Sequence, residues 1–482
     1  MIPYIIKSFR GGISDESDKG PAGSFKYGQN LDIHGRDDVL KCASVMASIA
    51  NTSDLIQFFV PASDGSTYAF GHMGSIYAVS GQENDPAVTF VYNDENGKIR
   101  GAAEWKLSDG NNYLVWATAT SVARALINGS LDTPWAAGVA TQDYKTTLDS
   151  VDWHTMAMAS GSLMAANGPY VATIDYDGNF DPAKLNVRPG NLIKALLERD
   201  DYVILGSTRK DNNEEGHLWS WIVTALSWVQ KKKIPVQGVN ALIDTELKLL
   251  QGGDDGEIFY SDFANVVPVA KIPGGGQVAP GGVSVDNDIA IFGNYGGSSV
   301  SYTGIWSYGR RHKDRPNALN FPYRLSATTG GSTATTIGAV AVVNGHVFVS
   351  RGVMDDTYST YSIEGTSGTT LANAIYEGLE FDGGSPHLNK LFESVKITTS
   401  PLTNGTSYSV KFKLDKESVW RYAILGNGTT TYSEADSVES IWTVGKAGKI
   451  YEVGMELNIS GSSSPEIQSI TTYIADETQV YG

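Results

Sequence analysis

The 482-residue chain carries 36 Lys and Arg against 53 Asp and Glu, a formal net charge of −17, with 53 glycines, 24 tyrosines and only 18% charged residues. This is the composition of tight turns between half-buried strands, and it excludes a coiled coil or a disordered chain. The single cysteine, Cys42, excludes an internal disulfide framework and a cysteine-based metal site, so stability has to come from packing and association.

Residues 1–50 read as an irregular arm. Phe9-Arg10-Gly11-Gly12-Ile13-Ser14 and Lys19-Gly20-Pro21-Ala22-Gly23-Ser24-Phe25 are loop chemistry, while Leu31-Asp32-Ile33-His34 and Val39-Leu40-Lys41-Cys42 look like short strands. Between residues 54 and 366 a degenerate unit then recurs about seven times. It consists of a turn, an apolar strand, a Gly-bearing loop and a second strand rich in Tyr and Trp. Asp64-Gly65-Ser66 leads into Thr67-Tyr68-Ala69-Phe70, Asp109-Gly110-Asn111-Asn112 into Tyr113-Leu114-Val115-Trp116, and Asn344-Gly345-His346 into Val347-Phe348-Val349. The copies lie about 40 to 60 residues apart, the spacing of four-stranded propeller blades. A lone blade cannot bury both of its faces, so the repeats must stack around an axis.

The expectation is therefore an all-β chain. A β-propeller of about seven blades over residues 51–368 is preceded by the arm and followed by an antiparallel β-sandwich over residues 369–482. In the last region Tyr408, Val410, Phe412 and Leu414 alternate with Ser409, Lys411, Lys413 and Asp415 after an Asn404-Gly405 hairpin signal. Each of those strands should bury one face and solvate the other.

Catalytic signals are weak. Arg310 and Arg311 with Asp200-Asp201 or Asp254-Asp255 supply the residue types of a glycan-cleaving propeller, but hairpin turns use the same acids structurally. No catalytic residue is assigned. The seven histidines show no metal spacing. Asp175, Asp177, Asn179 and Asp181 form the one segment with calcium-like oxygen density; it lacks a downstream bidentate Glu, and the reading preferred for it is a plain Asx-rich turn. No nucleotide motif occurs and no cofactor is expected. The aromatic residues Trp116, Trp219, Trp221, Trp306 and Tyr308 sit at repeat-locked positions, which favours packing between blades over a carbohydrate platform. Trp135 and Trp153 fall outside the repeat and are the better candidates for exposed contacts.

Lys and Arg are scattered apart from Lys231-Lys232-Lys233 and Arg310-Arg311-His312-Lys313, so stable nucleic-acid binding is not expected. An acidic surface instead suits a conduit past which a phosphate backbone slides. No apolar run approaches about 18 residues, and residues 1–6 lack the flanks of a signal peptide.

The opening Phe9-Arg10-Gly11-Gly12-Ile13-Ser14, the Gly/Pro-rich stretch after it and then Gly28-Gln29-Asn30-Leu31-Asp32-Ile33 resemble the start of tailed-phage virion proteins. The order of arm, propeller and sandwich is similar to the tail nozzle and DNA-stabilisation (tail needle hub) proteins of short-tailed phages. The resemblance implies a non-enzymatic virion component that forms a ring, commonly sixfold, around the DNA exit channel. Its partners would be other tail proteins, with Phe9, Arg10, Phe25, Arg310 and Arg311 as contact residues. A glycan-binding or glycan-cleaving receptor-recognition propeller is the alternative, and a host interaction scaffold a third reading.

Overall fold

A computed structural model describes all residues other than 1, 36–37, 81–86, 95–96, 128–147, 200–201, 210–214, 247, 298–299, 326–333, 355–358 and 477–482. Among the described residues the regular structure is strand, apart from one 3-10 turn at Val300–Tyr302. Contacts divide the chain into two units: residues 47–304 with 325–366, and residues 1–46 with 305–324 and 367–482.

The first unit is a seven-bladed β-propeller. Blade 1 is Ile56–Pro61, Thr67–Gly71, Ser75–Ser80 and Ala87–Asn93, in that order outward. Blade 2 has three described strands, Gly101–Lys106, Asn112–Ala117 and Val122–Ile127. Blades 3, 4 and 5 have four strands each and start at Met156–Ala159, Asn191–Arg199 and Val239–Asp244. Blade 6 comprises Gln277–Asp286, Ile289–Tyr295, Gly304–Gly309 and Ala318–Arg324, its last two strands grouping by contacts with the second unit. Blade 7 is Ala334–Val343, His346–Met354 and Ser359–Leu371, and its outermost strand is Ser44–Thr52 from the start of the chain. Each innermost strand neighbours the innermost strand of the next blade, and Ala334–Val343 returns beside Ile56–Pro61, so the ring closes.

Turn chemistry explains why the blades fold where they do. Ser160-Gly161, Asn287-Asp288 and Asn344-Gly345 all have positive φ at both residues, the requirement of a type I′ hairpin. Blades 1 and 2 use another device. Asp64 accepts hydrogen bonds from Ser66 N at 2.9 Å and from the Tyr68 hydroxyl at 2.9 Å, and Asp109 accepts from Asn111 N at 2.9 Å and the Tyr113 hydroxyl at 2.8 Å. Burial, with Asp64 beside it, pushes the Tyr68 phenol up to about 12.

The repeated aromatic residues pack between blades. Phe70 with Leu114 and Trp116 fills the space between blades 1 and 2, and Leu205, Trp219 and Trp221 meet Met164 and Val171 between blades 3 and 4. Ile56, Ala69, Phe348 and Ile363 form the corresponding cluster between blades 7 and 1. Polar side chains on second strands then tie one blade's backbone to the next. Ser350 Oγ accepts from Ile56 N at 2.9 Å, and Gln251 Oε1 from Val278 N at 3.3 Å. At Gly338 a Cβ would collide with the Ile56 carbonyl, so only glycine permits that approach of inner strands.

The second unit holds a two-stranded sheet, Leu31–Asp32 with Lys41–Cys42, where the sequence reads short strands, and two large ones. One has the order Ile2–Ile6, Ile467–Asp476, Lys390–Thr399, Glu439–Gly448, Ile424–Leu425; the other runs Gly12–Ile13, Ser24–Gln29, Ala374–Gly378, Tyr451–Asn458, Ser407–Leu414, Arg421–Tyr422. The separate arm expected over residues 1–50 is thus divided. Ile2–Ile6 pairs antiparallel with Ile467–Asp476, Ser24–Gln29 pairs with Ala374–Gly378, and Ser44–Thr52 belongs to the propeller. Partners more than 300 residues distant leave no local pattern, so these strands read as loop. The expected inward face of Ser407–Leu414 is buried, with Tyr408 at 0% and Phe412 at 4% exposure. Its other face is covered too: Lys411 Nζ pairs with Glu456 at 2.9 Å, and Lys413 Nζ lies 4.5 Å from the centre of the Trp420 ring.

Two expected outcomes follow from this packing. Phe412 stacks near Tyr451, so Phe412→Ala should cost about 3–5 kcal/mol, whereas Lys413→Ala loses only a cation–π contact of about 0.5–1 kcal/mol; equal thermal shifts would show that the faces are misassigned. Ser350→Ala should orphan the buried Ile56 N–H and cost about 1–3 kcal/mol. Chemical denaturation checks this, and an unchanged midpoint would remove Ser350 from ring closure.

Candidate interaction surface

Of the five residues expected to make contacts, the two aromatic ones are core. Phe9 and Phe25 are 1% and 0% exposed and lie 5.7 and 5.5 Å from the Tyr376 ring, edge-on and tilted respectively. They are corrected from interface to interior, because the arm supplies strands to the sandwich and its large apolar side chains follow the sheet inward. Arg10 is held locally, its Nε 3.3 Å from the Asp38 carboxylate, which also accepts from Phe9 N at 3.2 Å.

The Arg310 loop connects Gly304–Gly309 to Ala318–Arg324. Arg310 is half-buried and donates from Nη1 to the Lys313 carbonyl at 3.0 Å, whereas Arg311, His312, Lys313 and Asp314 are exposed. The structure joins this loop to the arm, which the sequence treats as a separate surface. Arg315 Nη1 donates to the Gly35 carbonyl at 2.6 Å, Asn320 Nδ2 to the Leu31 carbonyl at 2.8 Å, and Asn30 N to the Phe321 carbonyl at 3.0 Å. Together they make one surface in the second unit.

The calcium-like segment is a turn. Asp175 accepts from the backbone N–H groups of Asp177 and Asn179 at 3.0 and 2.8 Å and from Asn179 Nδ2 at 2.9 Å, and these bonds hold its carboxyl below the usual range. Asp181 accepts from Ala183 N. Among the described residues no three His, Cys, Asp or Glu side chains gather as a metal site, and no helix is long and apolar enough to cross a membrane. Asp254 and Asp255 lie exposed in a blade 5 loop; Asp200-Asp201 and Trp135 fall outside the described residues. Trp153 packs edge-on against Phe58 at 6.0 Å, while Trp116, Trp219, Trp221 and Trp306 are fully buried and Tyr308 is 6% exposed. The Cys42 thiol is buried, which pushes it up to about 11 and keeps it protonated at neutral pH.

A cationic and aromatic cluster in blade 4 was visible in the sequence only as the triplet Lys231-Lys232-Lys233. Lys231 Nζ sits 4.7 Å from the Trp219 ring centre, Trp228 meets Trp219 edge-on at 5.2 Å, and the Arg188 guanidinium lies 5.7 Å from the Trp228 ring. Glu215 stands among cations, 2.6 Å from Lys233 Nζ and 3.7 Å from Arg209 Nη1. The signal is scattered: Arg188 and Trp228 come from two connections and Arg209 from the end of the strand Tyr202–Arg209, and only pairing of Trp219 with Lys231 across the sheet brings them together.

No family model matches the sequence, and no curated protein matches it. Similar solved structures include the WD40 β-propeller domain of Doa1, at 11% identity and TM-score 0.44, covering 67% of this chain and 96% of that one. The RRP9 WD40 repeats are similar at 12% identity and TM-score 0.46, over 69% of this chain and 100% of theirs. The extracellular domain of the hybrid two-component system BT4673 from B. thetaiotaomicron matches at 12% identity and TM-score 0.45, over 79% and 44%.

Burial and then the charge of Lys231 push His217 down from 6.5 to about 4, against the opposing Glu215. A folded-state value below the unfolded one means that stability is held above pH 6.5 and drains as pH falls toward 4. His217→Gln should flatten this acid limb in melts recorded across that window; an unaltered limb would assign the titration to another group.

Proposed function

We propose that this chain is a non-enzymatic structural protein of a phage tail, the protomer of a nozzle- or hub-like homo-oligomeric ring, sixfold favoured, that acts in tail assembly and in genome retention and delivery. In this reading the protein resides in the virion tail and meets other tail proteins on either side. The observation that carries the proposal is the joined surface of arm and Arg310 loop, where Arg315 and Asn320 hold residues 31–35 against the base of an exposed loop bearing Arg311 and Lys313. Loops fixed on a rigid scaffold are where recognition concentrates. The order of propeller and sandwich fits the architecture implied by the resemblance, and an acidic chain lining a channel would leave passing DNA unbound.

A second reading, glycan recognition, is favoured by one feature. The second unit contains a cavity of about 480 Å³ lined by Asp32, Lys41, Tyr323, Ser400, Ser464 and Glu466, a hydroxyl- and carboxylate-rich wall with one aromatic ring. Release of reducing ends from host surface polysaccharide, or saturable oligosaccharide binding lost in Glu466→Gln, would favour it over the structural role.

Deleting residues 1–25 would remove Phe9 and Phe25 from the core, so surface charge gives the cleaner test. The double variant R311E/K313E should fold with an unchanged melt yet fail to enter particles. Normal incorporation and infectivity of that variant would remove the loop from assembly.

A further inference from the structure

Blade 4 ends outward on the strand Gln230–Ile234, whose far edge pairs with no other strand among the described residues. A strand edge of this kind exposes N–H and C=O groups and invites another strand to add. The outer strands of blades 3, 5 and 6 each contain a proline, Pro182, Pro268 and Pro322, and proline on an edge interrupts the hydrogen-bonding ladder. Gln230–Ile234 contains none, like Ala87–Asn93 of blade 1 and Ser44–Thr52 of blade 7; what sets it apart from those two is its charge, for its sequence is Gln-Lys-Lys-Lys-Ile, with Gln230, Lys231 and Lys233 exposed.

Edge lysines commonly keep sheets from pairing, and for that task a loosely solvated side chain suffices. These are positioned. Lys231 is set over Trp219, Lys233 against Glu215, and Arg188 beside Trp228 from a backbone held at φ 118, a conformation that a side-chain-bearing residue adopts only under strain. Lys231 and Lys233 project from the same face, roughly 6.6 Å apart by the strand repeat. The spacing matches that of alternate side chains on an added strand. Arg209 and Lys233 pair with Glu215, and Arg188 stands close enough to Lys231 to act on it, so four cations share this region of a chain whose net charge is −17; burial together with Arg188 holds the Lys231 ammonium below its ordinary value.

We infer that the free edge of blade 4 is a docking strand for an acidic, extended segment of a partner protein. The segment adds as a further strand outside Gln230–Ile234 and sets alternate carboxylates against Lys231 and Lys233, with Arg188 and Trp228 receiving its end. Main-chain bonds supply affinity and the alternating charges supply register, the usual division in strand addition. The inference is independent of the tail reading and stands or falls on binding alone.

The test uses the full chain and a fluorescein-labelled decapeptide of alternating Glu and Val, followed by anisotropy. The companion probes are an alternating Lys-Val peptide, the Glu-Val peptide with alternate backbone nitrogens methylated, and a polyuronate oligosaccharide of equal charge. The Glu-Val peptide should bind, slow hydrogen exchange at residues 230–234 in the wild-type protein, and weaken about tenfold with K231Q/K233Q. Absence of binding, equal binding of the methylated peptide, tighter binding of the oligosaccharide, or unaltered exchange at residues 230–234 would each overturn the docking strand. Because exchange is read on the wild-type chain, the outcome stands even if the double variant folds poorly.

Discussion

The pairing of Ser44–Thr52 with the last blade is the constraint on which the rest of the structure depends. A propeller whose first and last blades were only neighbours could open at that seam, since adjacent blades elsewhere are held by side-chain packing and single side-chain hydrogen bonds such as that of Gln251 with Val278 N. Here the beginning of the chain completes the final sheet, and Ile56 N on the innermost strand of blade 1 donates to Ser350 Oγ on the second strand of blade 7. The seam is thereby closed at the inner end by a buried hydrogen bond and at the outer end by a ladder. The same pairing fixes where the chain leaves the propeller. Ala372 N donates to the Ala43 carbonyl at 2.9 Å, so the two departing segments run side by side.

That juxtaposition makes the mixed sandwich possible. Pairing Ile2–Ile6 with Ile467–Asp476 joins segments more than 460 residues apart, and loop-closure entropy would oppose it in an open chain. Once Ser44–Thr52 has paired, the loop left to close shrinks to the segments outside the propeller, which lowers the entropic cost of the second pairing. The dependence runs in one direction: the blades are built from local hairpins, whereas the sheets containing both chain ends require the ring. Long-range pairing of this kind folds slowly by the same entropy argument.

The distinction between local and remote contacts also explains what the sequence disclosed. Asp64-Gly65, Asp109-Gly110 and Asn344-Gly345 announce hairpins because turn geometry is dictated by residues a few positions apart. Alternation in Ser407–Leu414 identified its buried face for the same reason. Ser44–Thr52 and Ile2–Ile6 carried no such announcement, and Phe9 and Phe25 were read as exposed because their strand partners lie across the whole chain. Lys411 is expected in solvent; Glu456 on the neighbouring strand pairs with it and the Trp420 ring lies over it. Site residues fared as their neighbours did. Arg310 and Arg311 were placed on a loop by local composition, but the link from Arg315 to Gly35 that makes loop and arm one surface is a tertiary fact.

Charge gives the remaining step. With acids in excess, a cation in this fold is ordinarily absorbed by a carboxylate: Lys26 lies 3.0 Å from Glu452 and 3.5 Å from Glu380, Lys396 lies 2.7 Å from Glu439, and Arg351 meets the fully buried Glu364. Such pairs stabilise at most modestly when exposed, yet breaking a buried one is costly because the partner charge stays behind. Blade 4 shows a second arrangement, shared with Lys413 over Trp420 in the sandwich: Lys231 and Arg188 are set against indole rings and close enough to repel each other. Cations packed on aromatic faces keep their hydrogen-bond donors available, whereas a carboxylate partner would occupy them. At the edge of blade 4, therefore, the ring-stacked Lys231 offers an incoming acid donors already in place, while Lys233 is shared with Glu215.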